Sequence, residues 1–188
     1  MTYVAGLLLA AGAGRRMGGP KALVRHDDGT PWVAGAVGVL VDGGCGGVTV
    51  VLGASAEEAR PLVPAAADVV VADHWADGMG ASLRAGLAAL ESGPADAALV
   101  LLVDLPDLVP AVVARLLADA SGPAALARAA YEGVPGHPVL LGRDHWAGVA
   151  DTAVGDRGAR DYLAAHAAVV RPVECGDLAT GADRDRPE

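Results

Sequence analysis

Phenylalanine is absent from the sequence, and Trp and Tyr bring the aromatic share only to 3%. A core of stacked rings is thereby excluded. Apolar residues nevertheless reach 53%, so Val, Leu and Ala must fill the interior, a composition suited to helices packed tightly on a sheet. Cysteine is nearly missing as well. Cys45 and Cys175 stand far apart without a ligand cluster, which excludes a disulfide framework and a zinc site and fits a reducing cytoplasm. No apolar run approaches the roughly 20 residues that span a bilayer, because Gly, Pro, Asp or Arg interrupts each one. The opening MTYVAGLLLAAGA lacks a basic leader, and its arginines follow the run, so it reads as a buried strand. Positive charge is in deficit too: 14 Lys and Arg face 23 Asp and Glu, a net charge of −9. Such a field gives nucleic acid and anionic membranes no reason to bind, and any anion site must be local. Nothing in the pattern sets an oligomeric state.

What is present is alternation. The 188 residues suit one domain, taken as residues 1–188. Apolar strand-like runs occur at 3–10, 48–53, 68–72, 97–104, 124–130, 137–142 and 169–174. Between them, Val33, Ala36, Val37, Leu40 and Val41 make a helical stripe, and Val112, Val113, Leu116, Leu117 and Ala120 make another. A third helix is expected over 79–92, and Asp156 is placed to cap a fourth running through Leu163 to Ala167. Near-continuous apolar strands imply burial on both faces. The expectation is a single-domain α/β fold, a Rossmann-like three-layer sandwich with a mostly parallel sheet, whose ligands sit beyond the carboxyl ends of the strands.

Chemistry concentrates in the loops that follow strands. In LLLAAGAGRRMGGPKAL, residues 7–23, Gly12, Gly14, Gly18 and Gly19 let backbone amides approach one oxygen-rich anion, while Arg15 adds a planar fork and Lys21 a mobile point charge. A triphosphate needs that combination. The order fails the GxxxxGK[ST] loop, since Ala22 follows Lys21, and GAGRRM lacks the third glycine of a dinucleotide fingerprint. A glycine-rich surface turn with solvated arginines is the plain alternative. In LLVDLPDL, residues 101–108, Asp104 closes a very apolar run before Pro106 and is a ligand candidate for nucleotide-bound Mg²⁺; a turn-forming Asp is the alternative, and Asp107 is read as one. GMGASLRAGL offers Ser82 at a helix start for nucleotide contact, with Asp73 and Trp75 as loop anchors. GVPGHPVLLGRDHW sets His137 beside Gly and Pro as a hydrogen-bond donor to an acceptor. GDRGAR offers a helix start capped by Asp156, with Arg157 and Arg160 nearby, suited to a phosphate on a second substrate; an ordinary capped helix with a solvated face is the alternative. Two carboxylates in the tail, Asp183 and Asp185, can complete a metal site if the tail folds back to the rim; by composition alone they read as solvated.

Taken in order, LAAGAGRRMGGPKAL, GMGASLRAGL, LVDLPDL, GHPVLLGRDHW, GDRGAR and DRDRPE resemble the molybdenum-cofactor nucleotidyltransferases, most closely the cytidylyltransferase branch. The resemblance implies a Mg²⁺-dependent transfer of a nucleotidyl group from CTP to a phosphorylated acceptor such as a molybdopterin cofactor, with release of pyrophosphate. It implies nucleotide contacts at Leu9, Ala10, Ala11, Gly12 and Gly14, with Arg15 and Lys21 as catalytic cations. It also implies metal ligation by Asp104 and, through a DxDxP-like tail, by Asp183. LAAG and PK lean toward the cytidylyl pattern. The segments GHPVLLGRDHW and ECGDLATG are also similar to proteins named nicotine blue oxidoreductases, which implies the alternative of NAD(P)H-dependent reduction of a quinone-like pigment. A nucleotide-binding module without turnover is a third possibility.

Overall fold

The strand that carries the opening apolar run is buried along its whole length, Val4–Ala10 (β1), and the rest of the fold is laid out on both sides of it. In the computed structural model, which describes residues 2–185, six further strands follow: β2 Gly47–Leu52, β3 Ala67–Val71, β4 Ala97–Leu102, β5 Leu126–Tyr131, β6 Val134–Gly142 and β7 Arg171–Glu174. They form one sheet in the order β3-β2-β1-β4-β6-β5-β7. All lateral pairs are parallel except those of β6, which runs antiparallel to both β4 and β5. The sheet is mostly parallel, and the fold is a single-domain three-layer α/β sandwich. The expected double-sided burial fails at β3, where the ADVVV run is half exposed because the strand sits at the sheet edge.

The helices are α1 Trp32–Asp42, α2 Ala56–Ala59, α3 Met79–Glu91, α4 Pro110–Leu117, α5 Arg143–Thr152 and α6 Arg160–Ala165. The stripes read from sequence are what they bury. In α1, Val33, Val37 and Leu40 pack with Val112, Val113 and Leu116 of α4 in one cluster on one sheet face. Leu83, Leu87 and Leu90 of α3 join Trp146 and Val149 of α5 and Leu163 of α6 on the other. Leu7 and Leu8 of β1, both fully buried, point into opposite clusters, as the period of two requires. α5 follows β6 without a loop and was not expected, because its apolar face rests mainly on Trp146 and Val149 within a polar segment. Trp146 is held by a 2.8 Å hydrogen bond from its indole N–H to the Leu141 carbonyl.

The expected cap at Asp156 is corrected. Asp156 lies inside a short 3-10 turn, Gly155–Arg157, and α6 starts only at Arg160, with Ala159 in the cap position and no side-chain cap. Gly158, at φ 51°, breaks the backbone between the two, so one continuous helix cannot form. Among the described residues no helix is long and apolar enough to cross a membrane. Met1 and the last three residues of the DRDRPE segment lie outside the described part.

Candidate active site

β1 and β4 are neighbours, so the loops leaving their carboxyl ends face each other across the same rim. The first, residues 11–20, turns at Gly14. Its φ of 57° is a left-handed conformation, and its carbonyl accepts hydrogen bonds from the amides of Met17 (2.9 Å) and Gly19 (3.2 Å). A β-carbon at Gly14 would collide with the Gly19 carbonyl, so only glycine closes this turn. Pro20 then leads into a 3-10 turn, Lys21–Leu23, anchored by the fully buried Ala22. Lys21 is thereby fixed at the mouth of the sheet. On the second loop, β4 ends at Leu102, the Val103 amide reaches back 3.2 Å to the Leu9 carbonyl, and Asp104 comes next.

The two loops meet. The Lys21 ammonium lies 2.7 Å from Asp104 Oδ2 and 2.5 Å from Asp185 Oδ1, with both Lys21 and Asp104 largely shielded from solvent. Arg16, exposed on the rim, reaches the other oxygen of Asp185 at 3.0 Å. Partial burial works against the charge on Lys21, but the two carboxylates more than offset it and raise its pKa above the ordinary lysine value. Lys21 therefore stays cationic at neutral pH. Its ammonium in turn holds the Asp185 carboxyl below the usual range, with Arg16 adding to the effect.

A cleft of about 380 Å³ opens beside this cluster. One wall is the glycine loop, including Leu9, Ala11, Gly12, Gly14 and Arg15. Asp104 and Lys21 line the cleft too, together with the start of α3, Gly78, Met79 and the buried Ser82, and with Asp156. Gly78, at φ 103°, sits in the cap position of α3 without a side-chain cap, and a β-carbon there would run into Gly155 and Asp156. The amino end of a 13-residue helix thus faces the cleft, where its dipole favours negative charge.

Of the residues singled out from sequence, Ala10, Gly18, Gly19, His137, Arg160 and Asp183 do not line the cleft. Ala10 faces the core on the other side of β1. Asp183, exposed, lies instead beside the Lys21 cluster. Trp75, read as a loop anchor, lines the cleft, as does Arg16. The largest departure from the solvated reading is Asp185. The DxDxP-like pattern marks the segment, but what brings Asp185 home is tertiary: the Asp107 carboxylate accepts hydrogen bonds from the Thr180 amide (2.7 Å) and hydroxyl (2.6 Å), and the Arg184 amide bonds the Asp104 carbonyl at 2.9 Å. Asp107 is therefore more than a turn residue, since it fastens the tail across the rim.

Asp104, Asp183 and Asp185 each present a carboxylate oxygen within 4.8 Å of the other two. Asp104 Oδ1 is buried and has no hydrogen-bond partner among the described residues. An all-oxygen donor set with an orphaned buried carboxylate oxygen fits a hard divalent cation such as Mg²⁺ or Mn²⁺.

Rv0371c of Mycobacterium tuberculosis H37Rv, solved in complex with manganese, matches with a TM-score of 0.78 at 25% identity, over 97% of this chain and 94% of that one. A nucleotidyl transferase from Methanothermobacter thermautotroptrophicus gives 0.83 at 21% identity, over 99% and 93%, a likeness of fold. A curated relative, a nicotine blue oxidoreductase of Paenarthrobacter nicotinovorans, is 38% identical over 194 residues, covering 98% of this chain and 93% of that protein. The model of the MobA-like NTP transferase domain matches residues 6–169, the stretch that holds most of β1, the glycine loop, Lys21, Asp104 and the helices around the cleft. The chain belongs to the MobA-like NTP transferase domain family.

Proposed function

We propose that the chain, over residues 1–188, moves a nucleotidyl group from an NTP, with CTP favoured, to a phosphorylated acceptor such as a molybdopterin cofactor, releasing pyrophosphate. The observation that carries this reading is the meeting of Lys21 and Asp104 in one cleft, 2.7 Å apart, from loops 83 residues distant in sequence. An acceptor phosphate oxygen attacks the α-phosphorus, the bond to the bridging oxygen breaks, and pyrophosphate leaves with the electron pair. Because the attacking phosphate is already ionised, no general base is required. Catalysis is then positioning and charge stabilisation.

In this reading the glycine-loop amides and Arg15 hold the β- and γ-phosphates, and Lys21 neutralises charge growing on the α-phosphate. Leu9, Ala11, Gly12 and Gly14 follow the nucleotide along the loop, and Ser82 contacts it from α3. His137, Asp156 and Arg160 serve the acceptor. Asp104 and Asp183 would hold Mg²⁺, and Asp185 stands close enough to join them. A bound divalent ion would supply charge neutralisation at phosphoryl oxygens. The manganese complex of the mycobacterial neighbour supports a divalent cation as a partner of this kind of protein. The free thiols of Cys45 and Cys175 suit a reducing cytoplasm.

A second reading, NAD(P)H-dependent reduction of a quinone-like pigment, is favoured by the name of the 38% identical relative. A glycine loop can cradle the pyrophosphate of a dinucleotide, but hydride transfer leaves the Lys21–Asp104 pair without a task. Two assays on the same preparation separate them. Pyrophosphate release from CTP, GTP and ATP with a molybdopterin acceptor is expected only with Mg²⁺ and fastest with CTP. Steady NADPH oxidation by such a pigment, with no pyrophosphate formed, would overturn the transferase reading.

A further inference from the structure

The proposed transfer leaves one large side chain of the cleft without a task, that of Trp75. It starts a short 3-10 turn, Trp75–Asp77, between the end of β3 and the start of α3. Its amide donates to the Ala72 carbonyl at 3.1 Å and its carbonyl accepts from the Gly78 amide at 3.1 Å, so the backbone is tied on both sides. The side chain rests on Gly53: a β-carbon there would sit 2.5 Å from Trp75 Cβ, 2.6 Å from its Cγ and 2.8 Å from the Ala11 carbonyl oxygen. Trp75 is thereby fastened over the carboxyl ends of β1 and β2. Lys21, Asp104 and Asp185 gather instead at the ends of β1 and β4, on the other side of β1. Adjacent strands lie about 4.8 Å apart, so roughly 10 Å separates the indole end of the cleft from its charged end.

The indole also keeps accessible surface. Trp32 and Trp146 are buried, 3% and 2% exposed, whereas Trp75 is half-buried. It packs on the core cluster that holds Leu83 and Leu87, and it lines the cleft as well. Among the described residues no ring stacks on it and no cation lies over it. In a chain with no phenylalanine and an interior of Val, Leu and Ala, a fixed aromatic side chain facing a cleft is available for a ligand. A cleft with an indole at one end and cations at the other suits a molecule that carries a planar ring at one end and phosphoryl groups at the other.

We propose that Trp75 is the ring-binding residue of the cleft, the surface on which the nucleobase of the NTP stacks. That the ring is a nucleobase rests on the transferase reading, while the ring-binding role itself stands on the placement of Trp75. Stacking uses the π-face that every base has, so Trp75 contributes affinity without choosing among bases.

Two probes separate ring from phosphate: CTP, and inorganic tripolyphosphate, which has the anionic chain and no ring. Each is titrated calorimetrically with Mg²⁺ into the natural chain, Trp75→Leu and Trp75→Phe, with tryptophan emission followed in parallel. Leu keeps apolar bulk against Gly53, and Phe keeps a ring. CTP should quench the emission of the natural chain and tripolyphosphate should not. Trp75→Leu should bind CTP and ATP at least about tenfold more weakly, the scale for loss of one base–aromatic stack, and Trp75→Phe should recover most of that loss. Tripolyphosphate affinity should stay within about twofold in both variants, which also shows that the fold and the charged end are intact. CTP affinity unchanged in Trp75→Leu, or CTP and tripolyphosphate weakened alike, overturns the ring-binding role and leaves the transferase reading standing. Emission that saturating CTP does not alter overturns it as well, whether or not the variants fold. NADPH binding that is lost in Trp75→Leu, in a chain that binds neither CTP nor tripolyphosphate, would support the ring-binding role while refuting the transferase reading.

Discussion

His137 should make the protein lose stability in mild acid, by an amount that follows from its surroundings. Enclosed beside Arg128, with Tyr131 O–H donating 2.7 Å to the His137 carbonyl, the imidazole has a pKa of about 4, against an ordinary value of about 6.5. The folded state therefore binds fewer protons than the unfolded chain between these values. Stability from this group is complete above pH 6.5 and is lost as pH falls toward 4. Integrating that difference gives about 2 kcal/mol between pH 7 and pH 5, before most carboxylates titrate. The assay is urea unfolding at pH 7, 6 and 5 in phosphate-free buffer, for the natural chain and His137→Gln. The variant should lose about 2 kcal/mol less than the natural chain over that range. Equal losses in the two proteins would refute the claim that His137 is held neutral by burial and Arg128.

Lys21→Ala should lower turnover by at least about 10²-fold, the scale for removing one charge-stabilising group; near-normal pyrophosphate release from a folded variant would count against its role. Asp104→Ala should abolish the dependence of CTP binding on Mg²⁺, read as the shift in melting temperature on adding the ion, and a persistent shift would place the metal elsewhere. Gly14→Ala forces a β-carbon onto the Gly19 carbonyl and should destabilise by about 1–3 kcal/mol, measured by denaturant unfolding; an unaltered midpoint would mean the loop relaxes freely. Asp107→Ala removes both bonds to Thr180, so the tail beyond it should be clipped faster in limited proteolysis while the core melts as before. An unchanged clipping rate would show that other contacts fasten the tail.

The sequence carried the architecture because burial wrote it in period. Runs such as VTVVL and ALVLL are strands buried in the sheet, and the stripes of α1, α3 and α4 are the faces they bury. It was less informative where a polar segment is made helical by tertiary contact, as in α5, and where a glycine interrupts a helix, as at Gly158. Within the site, Lys21 and Asp104 were legible because each follows a strand whose end defines the rim. Their separation could not be read, and the tail's return was carried only by the DxDxP-like resemblance, since the composition of a DRD segment does not distinguish a solvated end from one held by Asp107 and Lys21.

The proposed activity requires a triphosphate lying between the glycine loop and the Asp104 cluster with a divalent ion to help hold it. A thermal-shift series with CTP and NADPH, each with and without Mg²⁺, on the natural chain and Lys21→Ala, addresses this most directly. The expected result is a rise in melting temperature with CTP that grows when Mg²⁺ is added, collapses in the lysine variant, and has no counterpart with NADPH. A rise with NADPH that is indifferent to Mg²⁺ and to the loss of Lys21, with none from CTP, would contradict it.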